Sequence, residues 1–287
     1  MSGPYGERLS AGSVLACVFA LVPSLLPAQS MWAGWPGDNS YSIEILNPLL
    51  RGYSRPQSVS SVFFVTYRGS VTPPVRWVMD FPGVFMEATM AGNEYDCCRR
   101  TYRPRSGTVY GNPYLGIEVP AGRNGFLEIG LRIPVTPGGD AETRLRGAYS
   151  DLDRLEAFGC GFLPFQMSFN FLHADSSGLV MRLRGGPDVW ITTDSRAGAN
   201  RNQLLFHYGV QLGYEGQRLS VSAGVTGKMR ATGERLTLDQ RTFHQMGITA
   251  GVHLGRYRPG LHLRVPLDGD LKKILDYVIG FNFTMQL

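Results

Sequence analysis

The sequence predicts an all-β protein, a transmembrane antiparallel up-and-down β-barrel of about 12 strands, within a range of about 8 to 14. Three observations predict it. Apolar residues alternate with small or polar ones in segment after segment along the chain. The joins between those segments switch regularly between long and short. The chain also ends, at Leu287, on one more alternating segment.

The first 30 residues stand apart from this pattern. They carry Arg8, an apolar run from Ala11 to Pro23, and a close in Ala28, Gln29 and Ser30. That is the layout of a secretory signal peptide, with cleavage expected after Ser30. The run is too short, and too broken by Pro23 and Pro27, to span a bilayer comfortably as a helix. Cys17 lies inside it and goes with the discarded segment. Residues 31–287 then form one barrel domain.

Strand assignment rests on side-chain parity, because successive residues of a strand face opposite sides of the sheet. In GFLEIGLRIPV, Leu127, Ile129, Leu131, Ile133 and Val135 face one way, against Phe126, Glu128, Gly130 and Arg132. In PFQMSFNF, Phe165, Met167, Phe169 and Phe171 oppose Gln166, Ser168 and Asn170. LLFHYGVQLGY, RLSVSAGVTG and FHQMGITAGVHL repeat the scheme, with glycine, serine, threonine, His207 and Gln211 on the second face. Weaker segments are YSIEIL, SSVFFVTY, PVRWVMDF, PYLGIEV, GLVMRLR and LHLRVPL. The terminal YVIGFNFTMQL sets Tyr277, Ile279, Phe281, Phe283, Met285 and Leu287 against smaller or polar residues, Val278 excepted. An apolar face turned to lipid and a small or polar face turned inward is the barrel pattern.

The joins test this independently. Asn47 to Ser58, Pro82 to Asn112, Thr136 to Leu163, Thr193 to Asn202, Lys228 to Arg241 and Pro266 to Asp276 are long. Between them stand RGSVTPP, PAGRNG, ADSSG, EGQ and GRYRPG, short and rich in turn formers. A soluble sandwich has no reason to alternate in this way. Tyr67, Tyr214 and Tyr257 fall beside short joins, where an aromatic girdle is expected.

The remaining chemistry is sparse. The net charge of +5 is spread along the chain, which does not suggest nucleic acid as a partner. After cleavage Cys97, Cys98 and Cys160 remain, and in an exported chain Cys97 or Cys98 can bridge to Cys160. No cysteine or histidine spacing suits a metal, and no cofactor motif is present. Asp151, Asp153 and Glu156 in YSDLDRLEAF read as a short helix with a solvated acidic face. Arg99, Arg100, Arg103 and Arg105 in CCRRTYRPR read as a solvated loop, with lipopolysaccharide phosphate as the alternative partner. His173, His207, His244, His253 and His262 lie in no compact His-x-Ser-Asn arrangement, so no catalytic residue and no enzyme is expected.

The functional content lies on the inward face. Parity turns Arg76, Asp80, Glu118, Glu128, Arg132, Arg182, Arg184, Gln211, Arg218, His253, His262 and Arg264 toward the interior. Such groups either pair and plug a barrel or line a narrow path through it. The expectation is a narrow channel or transporter for small polar or amphipathic solutes. A plugged structural or adhesive barrel, with long loops binding surface partners, stands second, and a soluble exported sandwich third.

The leader, the alternation, the long and short joins and the closing strand with Phe281 and Phe283 together resemble Gram-negative outer-membrane β-barrel proteins. GNPYLGIEV followed by FLEIGLRIPV also resembles outer-membrane transporter barrels. The resemblance implies location in the outer membrane, contact with its lipid, and delivery by the barrel assembly machinery, which reads the last strand. Leu287 departs from the Phe or Trp usual at that position. Neither pattern nor resemblance implies an oligomeric state.

Overall fold

The computed structural model describes residues 30–32, 39–51, 58–72, 74–88, 94–96, 99–101, 106–136, 141–193, 202–232, 237 and 241–287. The strands are β1 (Ser40–Leu50), β2 (Ser58–Thr72), β3 (Val75–Ala88), β4 (Glu94–Asp96), β5 (Arg99–Thr101), β6 (Ser106–Tyr110), β7 (Tyr114–Pro120) and β8 (Gly125–Arg132). Helix α1 (Ala141–Ser150) and a 3₁₀ helix (Leu152–Phe158) follow in the join after β8. The wall resumes with β9 (Phe162–Ala174), β10 (Leu179–Thr192), β11 (Gln203–Glu215), β12 (Leu219–Arg230), β13 (Thr242–Val252), β14 (Tyr257–Pro266) and β15 (Leu275–Gln286).

These strands make a closed 12-strand antiparallel barrel. β6 and β7 count as one wall strand, since both pair with β3 and are broken only by residues 111–113. Closure is made by β15 against β1, from Ser40 opposite Gln286 to Leu50 opposite Leu275. The expected terminal strand is therefore the one that seals the ring. β4 and β5 form a small separate hairpin at the long-join end.

The barrel is inside out relative to a soluble protein. Ile43, Ile45, Phe81, Phe169, Val210, Leu212, Ile248, Leu261, Ile279 and Phe281 are exposed on its outer face. The buried set contains more polar and charged side chains than apolar ones. Only a nonpolar solvent makes that distribution favourable, because in water the exposed apolar area would cost about 25 cal/mol per Å². At the short-turn end the Tyr41 and Tyr67 rings are tilted at 37° with centroids 4.9 Å apart, Tyr257 stacks 5.8 Å from Phe283, and Tyr214 is exposed. Tyr67, Tyr214 and Tyr257 are the rings expected to form an interfacial girdle.

Three expectations change. β2 and β3 run together almost to Pro74, so most of RGSVTPP is strand and not join. β3 also continues past Pro82 to Ala88, because Phe81 and Phe85 keep the apolar face outward, while the Pro82 carbonyl accepts a hydrogen bond from the Gly111 amide at 2.9 Å. The largest correction concerns Asp151, Asp153 and Glu156. Their 3₁₀ helix folds down into the barrel, and Asp151 and Glu156 are 0 % and 1 % exposed. The acidic face is not solvated; it is turned to basic side chains of the wall.

An apolar cluster anchors this inward fold. Phe158 and Ala157 pack with Leu46, Val62, Phe64, Val84, Leu275 and Val278. Phe158 meets Phe64 edge-on, at 6.0 Å and 70°. Val278, the exception to the terminal alternation, therefore faces a greasy partner inside the barrel.

Candidate functional site: the occluded lumen

The 3₁₀ helix presents an alternation of charges to a ring of opposite charges on the wall. Asp151 caps it, accepting the Asp153 amide at 3.1 Å. Asp151 Oδ2 pairs with Arg154 at 2.6 Å, and Oδ1 with Arg264 of β14 at 3.0 Å. Arg154 also pairs with Glu44 of β1 and lies over the Phe64 ring, 3.5 Å from its centroid. Glu44 in turn receives Arg264 at 2.8 Å and faces His262 Nε2 at 3.5 Å. One helix thus ties β1 to β14.

On its other side Glu156 accepts Arg132 of β8 at 3.2 Å and Lys228 of β12 at 2.5 Å. Arg132 reaches Asp80 of β3 at 3.1 Å, where Thr66 also donates at 3.0 Å. Lys228 reaches Asp188 of β10 at 3.3 Å. The circuit crosses the barrel in two directions and leaves none of these side chains more than slightly exposed. Burial alone would raise the Asp151 and Glu156 carboxyls. Arg154 and Arg264 outweigh it at Asp151, and Lys228 and Arg132 outweigh it at Glu156, so both stay below the usual carboxylate range.

A second closure lies nearer the short-turn end. Trp32 is fully buried in the lumen, its indole Nε1 donating to Asp153 Oδ2 at 2.9 Å and its carbonyl accepting from Asn282 at 3.4 Å. Its ring sits where a Cβ on Gly247 would stand, 2.8 Å away. Met31 fills the corresponding space at Gly209. Glycine is required there because any side chain would occupy the volume these two residues take.

The residues expected inside fall into three groups. Asp80, Arg132, His262 and Arg264 belong to the circuit around the 3₁₀ helix. Glu118, Glu128, Arg76 and Arg184 sit lower on the β3–β10 side, where Glu118 holds Arg68 at 2.5 Å and Arg76 at 3.1 Å. Arg182, Gln211 and His253 gather at the short-turn end with Glu215 and Arg258. Arg218 is a correction: it is exposed in the turn between β11 and β12, because β12 begins only at Leu219. Tyr277, Ile279, Phe281, Phe283, Met285 and Leu287 occupy the outward side of the closing strand and its end. Cys97 and Cys98 lie outside the described residues, as does the expected leader through Gln29, and Cys160 is half-buried after the 3₁₀ helix.

Sequence reading missed Glu44, Arg154, Asp188, Lys228 and Trp32. Glu44 and Lys228 carried a signal, since each lies on the inner parity of its strand. Arg154 and Trp32 lie outside any strand and carried none. On the outer face, Asp268 bonds His244 Nδ1 at 3.0 Å and His244 Nε2 bonds the Tyr208 hydroxyl at 2.6 Å. The chain ends on a phenol, and it keeps polar groups mutually satisfied beside exposed apolar neighbours.

No family model matches the chain, and no characterised sequence is detectably similar to it. Solved structures do match in shape. The COG4313 outer membrane channel from Pseudomonas putida F1 superposes with a TM-score of 0.58 at 8 % identity, over 90 % of this chain and 99 % of that one. LpxR from Salmonella typhimurium gives 0.51 at 12 % identity, over 86 % and 100 %. At such identities the likeness speaks for architecture alone. The protein is built on the outer-membrane β-barrel fold.

Proposed function

We propose that the protein is an outer-membrane channel for small polar solutes, held closed by the 3₁₀ helix in its lumen. One observation carries this reading: beyond the apolar anchor at Ala157 and Phe158, the plug meets the wall through buried ion pairs. Replacing a buried ion-pair set with packed apolar side chains is often neutral or stabilising, so an inert filler needs no such charges. Charges that must face each other when closed, and can face water when open, suit a displaceable plug. The short-turn end is taken as periplasmic, as is usual for these barrels. Glu118, Glu128, Arg76 and Arg184 would then line the path that opens.

A plugged barrel with a purely structural role is the competing reading. Planar-bilayer recording separates the two. The channel reading expects rare, small openings from the wild type and larger ones from Arg154→Met, which removes the charge joining Asp151 to Glu44. Folded protein, shown by heat-modifiable migration, that passes no current in either form would favour the structural barrel.

A further inference from the structure

A recess lies in the lumen at the short-turn end. Its walls include Arg182, Gln211, Glu215, Ser222, Arg258 and Asn282. The space for the centres of water molecules is about 40 Å³, enough for roughly three waters at 10–15 Å³ each. A sugar ring would not fit, but a solute of a few heavy atoms would.

Two features give the recess a chemical preference. Glu215 lies between two guanidinium groups, 3.3 Å from Arg258 and 3.8 Å from Arg182. Burial, reinforced by Arg258, pushes the nearby His253 imidazole down, so it is neutral at pH 7. Among the described residues, the lining sets one carboxylate against two guanidiniums. The second feature is Gln211, which is 1 % exposed and whose amide nitrogen and oxygen both lack a hydrogen-bond partner. It stands between Arg182 on β10 and Gly224 on β12, and Gly224 leaves its side chain room. A buried amide with neither atom satisfied is unfavourable, and a ligand that both donates and accepts would relieve it.

We propose that this recess is a binding site for a small hydroxycarboxylate. The carboxylate lies against Arg258 and Arg182, and the hydroxyl engages the Gln211 amide. Asn282 in the wall of the recess also donates to the Trp32 carbonyl at 3.4 Å, so a bound solute lies one side chain from the segment that must move for it to pass. The assignment rests on the channel reading and names the class of solute that channel would take.

Isothermal titration calorimetry of the full, detergent-folded protein tests it, with lactate, acetate and chloride as probes. Lactate should bind about fivefold more tightly than acetate, the difference expected of one hydrogen bond, and chloride more weakly than either. Gln211→Leu should bring lactate to the level of acetate. Gln211→Glu, which keeps the side-chain size, should weaken both carboxylates, and Arg258→Gln should do the same. Heat-modifiable migration confirms that each variant is folded. Lactate binding no tighter than chloride, or a lactate-to-acetate ratio unchanged in Gln211→Leu, would overturn the site. Binding is read without current, so the two proposals fail separately. Lactate binding in a barrel that never conducts defeats the channel alone, and conduction without lactate binding defeats the site alone.

Discussion

The inner wall has two unlike arcs. From β1 to β10 it carries long charged side chains, among them Glu44, Arg68, Asp80, Glu118, Glu128, Arg132 and Asp188. From β11 to β15 it is lined largely by Gly209, Gly213, Gly224, Gly247, Gly251, Gly260 and Gly280, with Glu215, Lys228, Arg258 and Arg264 among the charged exceptions. The difference shows how a barrel of this width is filled. The charged arc reaches across the lumen with its own side chains, while the glycine arc leaves space that other parts of the chain enter. Met31 and Trp32 lie against glycines, and the 3₁₀ helix meets the arc where Lys228 and Arg264 project.

Breaking the charged contact should have the largest effect. Arg154→Met leaves Asp151 and Glu44 each short of a partner and should destabilise the fold by about 3–5 kcal/mol. Thermal unfolding in micelles, followed by the heat-modifiable gel shift, measures this. Adding Glu44→Gln should recover part of the loss, because one orphaned charge is removed.

Filling the glycine arc should cost less. A Cβ at Gly247 would stand 2.8 Å from the Trp32 ring and 2.9 Å from the Leu263 carbonyl. Gly247→Val should therefore expel Trp32 at a cost of about 1–3 kcal/mol. Acrylamide should quench the tryptophan emission of that variant more strongly than that of the wild type. Unchanged quenching would mean that the arc tolerates bulk and that glycine is not what seats the indole.

The pH dependence sharpens the contrast further. Asp151 and Glu156 have folded-state pKa values depressed by their basic partners despite burial. Their contribution is fully present above the ordinary carboxylate pKa values and is lost as pH falls through the depressed ones. The unfolding temperature should be nearly flat, as far as these groups are concerned, from neutral pH down to the ordinary carboxylate range, and fall below it. Glu156→Gln should weaken that acid dependence. At the small end, Arg218→Ala should change neither stability nor ion selectivity, since Arg218 is exposed in a turn.

Much of the wall was legible in the sequence because it depends on a short-range rule. Parity alone placed Phe165 and Leu212 outward, and Asp80, Glu128 and Gln211 inward, without knowledge of which strands pair. The closing role of YVIGFNFTMQL followed from its place at the chain end and its alternation. What parity cannot give is what enters the lumen. YSDLDRLEAF looks solvated when its acids are counted alone, and becomes a plug only when Arg132, Lys228 and Arg264 arrive from distant strands. Trp32 belongs to no periodic segment, so only the glycines it faces could have pointed to it. Arg218 was misplaced for the opposite reason, a parity extended beyond the start of its strand.

The 3₁₀ helix closes the lumen through its ion pairs and holds Trp32, the second closure, through Asp153. The most direct measurement is single-channel conductance of the barrel with residues 141–158 replaced by a short Gly–Ser linker, recorded beside the intact protein. The variant should still migrate as a folded barrel and stay open with a steady conductance far above the brief openings of the wild type. A folded variant as closed as the intact protein would contradict this role of the helix.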